Sequence, residues 1–150
     1  MYIKISKTRD VKIPARANPG DAGLDFYVPN DFKPVTLKHG ESILIPAGVK
    51  VEVPFGRALV FENKSGVASK KRLDIMACVI DHGYSGEVHI NMINNGESDA
   101  SINPGDKIAQ AVMYVIDVPQ VIEVNETELY QSIHVASNRG EGGFGSTGTK

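Results

Sequence analysis

An apolar run enters one short glycine-containing segment and an alternating strand leaves it, and that pattern constrains the chain more than any other. Leu73, Ile75, Ala77 and Val79 alternate with Asp74, Met76, Cys78 and Ile80 on the way in. Val88, Ile90 and Met92 alternate with His89 and Asn91 on the way out. Period two on either side of Asp81-His82-Gly83-Tyr84-Ser85-Gly86-Glu87 predicts a β-hairpin. Its tip carries Asp81 directly after Val79-Ile80, with Tyr84 three residues on, where free backbone amides can meet a ligand. Turn chemistry alone also accounts for an aspartate there, because Asp often bonds its own backbone in turns.

The rest of the chain has the same grain. Ile3-Lys4-Ile5 reads as a first strand and is too short and too alternating for a secretory signal. Leu24-Asp25-Phe26-Tyr27 follows a turn, with Leu24 and Phe26 facing one way and Asp25 the other, as a solvated strand residue would. Further strands are expected at 41–46, 49–53, 57–62, 107–116 and 121–124. The pattern breaks once, at Asn63-Lys64-Ser65-Gly66-Val67-Ala68, where Ser65 opens one short helix. Such an N-terminus offers free amides to an anion, or is simply a connector with a serine cap. Turns carry many of the 15 glycines and 8 prolines, and no βαβ alternation appears. The expected fold is all-β, a distorted jelly-roll barrel or sandwich with one short helix.

Composition excludes several classes. With 150 residues the chain is one domain by size, and no apolar run approaches the ~20 residues of a membrane span. The net charge of −2 gives no field to collect nucleic acid, and the only basic cluster is Lys70-Lys71-Arg72. The single cysteine, Cys78, reads as a buried structural thiol, and a reducing cytoplasm is the expected location. Residues 138–150 differ in kind: five of the thirteen are glycine and one, Phe144, is aromatic. We therefore expect a domain over 1–137 and a flexible tail over 138–150. That tail reads as a linker or as a cover for a phosphorylated ligand, with Arg139 pairing phosphate and Phe144 stacking on a base.

Five segments stand in order: Asp21-Ala-Gly-Leu-Asp25, Lys64-Ser-Gly-Val-Ala68, Val79 to Glu87, Gly105-Asp-Lys-Ile-Ala-Gln110, and Arg139 to Gly148. Together they resemble the trimeric dUTP nucleotidohydrolases (dUTPases), over essentially the whole chain. The resemblance implies a homotrimer with shared active sites that hydrolyses dUTP to dUMP and pyrophosphate with Mg²⁺, limiting uracil in DNA and supplying dUMP for dTTP. It implies that Asp81 activates the attacking water and that Tyr84 packs on deoxyribose and excludes a 2′-hydroxyl. Asp25 would organise water around the magnesium. Lys64, Ser65, Gly66 and Gln110 would contact phosphates, while Ile75, Val79, Ile80 and His89 would bind substrate along the hairpin. Arg139, Phe144, Gly145, Ser146 and Thr147 would close over the γ-phosphate and uracil. Three positions depart from the family pattern: Lys64 stands for an arginine and lacks its planar fork, Ile75 for a polar asparagine, and Ser85 for a longer polar residue.

Two other functions compete. A dCTP deaminase shares the fold, but its branch carries a glutamate on the outgoing strand where this chain has Asn91. A non-enzymatic jelly-roll module has no use for Asp25, Asp81, Tyr84 and a Gly-Phe tail together.

Overall fold

The computed structural model describes residues 2–130 and Gly142. Eleven strands and one helix follow in order: β1 (Lys4–Lys7), β2 (Leu24–Tyr27), β3 (Val35–Leu37), β4 (Ser42–Pro46), β5 (Val49–Glu52), β6 (Arg57–Asn63), α1 (Ser65–Lys71), β7 (Leu73–Ile75), β8 (Val79–Ile80), β9 (His89–Asn94), β10 (Ala100–Ile102) and β11 (Lys107–Val115). The fold is mostly β with one short helix, as the alternation predicts. Every ladder among the described residues is antiparallel, which suits strands joined by short turns.

Four sheets result, in the orders β2-β11-β6-β8, β4-β9-β7, β3-β10 and β1-β5. They close on one core, because each sends apolar residues into the same cluster: Phe26, Leu59 and Ile108 from the first, Ile45 and Ile90 from the second, Leu37 and Ile102 from the third, Val49 and Val51 from the last. β5 shows the pattern most plainly, with Val49 and Val51 buried and Lys50 and Glu52 exposed. The Phe26 and Phe61 rings meet edge to face, 4.9 Å apart, a favoured aromatic geometry.

The expected hairpin is real but wider than predicted. β7 pairs with β9, Ile75 facing Met92, whereas β8 leaves that sheet and pairs with β6, Val79 facing Val60. The apolar run 73–80 is therefore two strands and not one. Leu73 and Ile80 are both buried although their positions differ by an odd number, and a straight strand would place them on opposite faces. A bend at Met76-Ala77 resets the parity and leaves Met76 and Val79 exposed. Cys78 lies after that bend, half-buried, so the fully buried strand thiol expected from the pattern is corrected.

Compact contacts divide the chain into a unit over Met1–Val118 and another over Pro119–Lys150. In the second, Asn125 and Glu128 form a capping box on a single 3₁₀ turn at Glu126–Glu128. The strand expected at 121–124 is absent: the segment joins no ladder, and Val121 and Ile122 are exposed. The β-branched residues supplied strand propensity there without a partner edge among the described residues.

Candidate active site

The predicted residues gather at two places. At the first, β2, β11 and the start of α1 converge on Asp25. Asp25 is only 3% exposed, so the solvated strand residue expected from sequence is corrected. Lys64 Nζ bonds Asp25 Oδ1, and Lys107 Nζ bonds Oδ2 at 2.9 Å. Burial pushes the Asp25 carboxyl up, but hydrogen bonds and charge from the two lysines outweigh it and hold it below the ordinary carboxylate range. The same contacts raise Lys107. Gln110 is directly across from Asp25 in the β2–β11 ladder. Its amide donates from Nε2 to the Asn63 carbonyl at 3.0 Å, and its Oε1 lies so close to Gly23 that a Cβ there would collide with it. Gly23 is thus a close-approach glycine, which explains the Ala-Gly-Leu-Asp spacing physically.

Lys64 caps α1 by position only, without a side-chain cap, and Ser65 is the first helical residue. Ser65 and Gly66 are exposed. Asn63, just before them, reaches the other way: its Oδ1 accepts from the Ile75 main-chain N–H at 2.9 Å and its Nδ2 donates to Asp74 at 2.8 Å.

The second place is the hairpin. Asp81, His82, Tyr84 and Ser85 are exposed at its tip. A recess of about 180 Å³ beside it is lined by Cys78, Val79, Ile80, Asp81, Tyr84 and His89, among others. That is below the ~300–1,000 Å³ of whole-ligand pockets, and suits one ring rather than a nucleotide. Tyr84 donates from its hydroxyl to the Glu87 carbonyl at 2.8 Å. The ring crosses Gly86, where a Cβ would lie 2.5 Å from the phenol oxygen. His89 Nδ1 meets the same Glu87 carbonyl at 2.9 Å. Ile75 is half-buried on β7 and is not part of this recess. The tail residues Arg139, Phe144, Gly145, Ser146 and Thr147 lie outside the described residues.

These two places are far apart within one chain. Gln110 pairs with Glu62 on β6, and Asp81 follows Ile80, which pairs with Leu59. Two strands across and about four residues along, their Cα atoms are roughly 16 Å apart at ordinary strand spacing and rise.

A magnesium ion was also expected. Among the described residues no three or more His, Cys, Asp or Glu side chains gather into a metal group. Both oxygens of Asp25 are taken by lysines, so direct ligation does not fit. A hydrated ion could reach Asp25 only where a lysine gave way.

Sequence reasoning passed over Lys107, Asn63, Arg9 and Glu87. Lys107 and Glu87 both lie in the segments named above, and Lys107 could have been paired with Asp25 by charge; Glu87, Asn63 and Arg9 act through contacts between separate segments, which no local pattern reveals.

Cations held on a buried acid at one end and a carboxylate beside a ring-sized recess at the other describe a β domain that handles a nucleotide-like anion. Comparison narrows that class. The family model for dUTPase matches residues 9–148. The chain is 38% identical over 151 residues to the deoxyuridine 5′-triphosphate nucleotidohydrolase of Clostridium acetobutylicum, covering 99% of this chain and 97% of that one. It is 36% identical over 149 residues to the vaccinia virus protein of the same name, covering 97% and 92%. A solved mutant of the Staphylococcus bacteriophage 80alpha dUTPase with dUpNHpp matches with a TM-score of 0.82 at 27% identity, covering 98% of both chains. The phage phi11 dUTPase of S. aureus, solved as a mutant that reveals coordination of a structural Mg(II) ion, matches with a TM-score of 0.74 at 28% identity, covering 85% of this chain and 99% of that one. The chain belongs to the dUTPase family.

Proposed function

We infer that this protein is a dUTP diphosphatase, a hydrolase that converts dUTP to dUMP and pyrophosphate and so limits uracil in DNA. The observation that carries the reading is the Asp81–Tyr84 tip: an exposed carboxylate and a fixed ring on one ring-sized recess. Phosphoryl transfer is mostly positioning and charge neutralisation, so few reacting groups are needed. Asp81 takes the proton of the water that attacks the α-phosphorus in line. Tyr84 fills the space of a 2′-hydroxyl. Val79, Ile80 and His89 line the base-reading recess, and Ile75 leads into it. Lys64, Ser65, Gly66 and Gln110 receive the phosphates. Mg²⁺ bound to the triphosphate would neutralise part of its charge, and Asp25, held by Lys64 and Lys107, would act on it only through water.

The site is shared between chains in a homotrimer. The support is geometric: the Cα atoms of Gln110 and Asp81 are roughly 16 Å apart within one chain, a gap that a neighbouring copy can shorten. Exposed Met76 and Val79 beside the recess, at 53% and 58%, suit a surface that a neighbouring copy covers. The domain over 1–137 then carries the site, and the tail over 138–150 closes it, with Arg139, Phe144, Gly145, Ser146 and Thr147 on the γ-phosphate and uracil.

Subunit exchange tests this. A chain ending at Asn138 and a full-length Asp81→Asn chain are each nearly inactive. Mixed and exchanged, they form some sites with both an intact Asp81 and an intact tail, and pyrophosphate release from dUTP returns. Exchange verified by mass without returning activity means that hairpin and tail come from the same subunit.

A further inference from the structure

We propose that Arg9, together with Thr8, is a positioning residue for the sugar selectivity of the hairpin, acting through Glu87. The proposal rests on the reading of Tyr84 as the wall against a 2′-hydroxyl. A wall of this kind discriminates only if its ring is fixed to within a fraction of an ångström, since a looser ring swings aside for one extra oxygen.

The structure shows what fixes it. Tyr84 is 47% exposed, so packing does not hold the ring by itself. Its orientation depends on two things: the missing side chain at Gly86, over which it lies, and the Glu87 carbonyl, which its hydroxyl reaches at 2.8 Å. The position of that carbonyl depends in turn on Glu87. The Glu87 side chain is only 18% exposed. Its Oε1 accepts from Thr8 Oγ1 and from Arg9 Nε, both at 2.8 Å. Arg9 is held from its far side, where Nη1 bonds Asp31 at 3.1 Å. A charge-assisted bond from a guanidinium clamped on both sides is among the stronger and more directional contacts available to a carboxylate.

The frame behind this anchor is also closed. The main-chain N–H groups of Thr8 and Arg9 both donate to the Gly48 carbonyl, at 2.8 and 3.3 Å. Val88, directly after Glu87, donates to Val49 and accepts from Ala47, each at 2.8 Å. The N-terminal segment and the outgoing hairpin arm are therefore tied to the same β4–β5 turn. Glu87 bridges them, and the carbonyl that it fixes serves both Tyr84 and His89. Arg9 touches neither the recess nor the tip, and acts only through Glu87.

The test is the ratio of kcat/KM for dUTP to that for UTP, in full-length protein whose melting and assembled mass are checked first. Arg9→Ala is expected to lower the ratio about tenfold, the scale of discrimination that a modest change in pocket fit supplies. Arg9→Lys, which keeps charge but cannot reach Glu87 and Asp31 with one planar group, should recover part of it. Tyr84→Ala should lower the ratio at least as far, and adding Arg9→Ala to it should change nothing more, since the two act in series. A folded Arg9→Ala protein with an unchanged ratio, beside a Tyr84→Ala protein whose ratio falls, overturns the role of Arg9 and leaves the reading of Tyr84 intact. An unchanged ratio in Tyr84→Ala overturns that reading itself. Should Arg9→Ala not fold, Thr8→Val removes one donor and spares the ion pair; a drop of about two- to threefold supports the anchor, and no drop overturns it.

Discussion

The lysine cluster around Asp25 and the hairpin tip around Asp81 both centre on an aspartate, and the chain treats the two acids in opposite ways. Asp25 is buried, bonded on both oxygens and fixed by charge. Asp81 is exposed, and no hydrogen bond or ion pair engages its side chain among the described residues. The contrast fits the roles proposed above for the two acids. A group that orders cations around a polyanion works best when its own position is already decided, so nothing reorganises when the substrate arrives. A group that takes a proton from water must keep an accessible oxygen, and a lysine on it would compete with that water. Rigidity belongs to the first place and access to the second.

Asp81→Asn is the strongest test of that contrast. Removing a general base costs on the order of 10²–10⁴ in rate, so turnover of dUTP should fall by that amount. Because the side chain is exposed and unbonded, stability should stay within about 0.5 kcal/mol of the parent. A variant that loses activity only because it melts early would erase the distinction, and near-normal turnover would remove Asp81 from the mechanism.

Asp25→Asn should give the reverse signature, a change in stability that is visible without substrate. Breaking a buried pair leaves the two ammonium groups facing each other without their acid. Since Lys64 and Lys107 are 23% and 41% exposed and water screens them, the expected loss is about 1–3 kcal/mol, below the full cost of a dry pair. Urea denaturation measures it. The pH dependence has a definite sign. The folded-state carboxyl is held below its ordinary value of 3.8, so its contribution is complete above that value and is lost as pH falls through the lower folded value. Glu87, lowered by Thr8 and Arg9 against its own burial, adds to the same acid limb. Lys107, raised above 10.5, contributes below that value and loses its contribution only as pH rises through the higher folded value. Asp25→Asn should therefore flatten, without abolishing, the loss of stability below about pH 4. An acid limb identical to that of the parent would show that the lysines do not hold this carboxyl.

Much of this contrast was open to a reader of the sequence, and the part that was not has a common cause. Alternation found β5 and β9, the turn at Asn103-Pro-Gly-Asp106 announced β11, and the break after Asn63 found α1, because these are local patterns. The motif spacing put Asp81 and Tyr84 on one hairpin. The bend at Met76-Ala77 left no trace, since apolar residues occupy both parities of the run from Leu73 to Ile80 and no polar residue marks the switch of face. The burial of Asp25 depends on Lys107, eighty-two residues away. The anchor on Glu87 depends on Arg9, seventy-eight residues away. Val121-Ile122 shows the opposite failure, a good strand pattern without an edge to join among the described residues. Local chemistry was readable, whereas pairings across the fold were not.

Asn63 is where the two regions meet, and a charge-conserving exchange can test whether it joins them. Its main-chain oxygen holds Gln110 beside the Asp25 cluster, while its side chain holds Ile75 and Asp74 on the strand that leads into the hairpin. Asn63→Asp keeps an acceptor for the Ile75 N–H but sets a carboxylate against Asp74. One hydrogen bond is lost and a like-charge contact replaces it, at a cost of about 1–2 kcal/mol for a site open to water. The Gln110 contact is untouched, because only main chain makes it. Adding Asp74→Asn reverses the original pair: the new amide donates to the new carboxylate, and its oxygen can still accept from Asn95, which now bonds Asp74. Every group regains a partner at the original spacing, so the double variant should recover most of the lost stability and the parent kcat/KM for dUTP. The coupling between the two substitutions, read from a double-mutant cycle in urea, is then large and favourable. If the two costs merely add, the side-chain bond does not carry the link, and the Asp25 cluster and the hairpin are joined only through the shared strand β6.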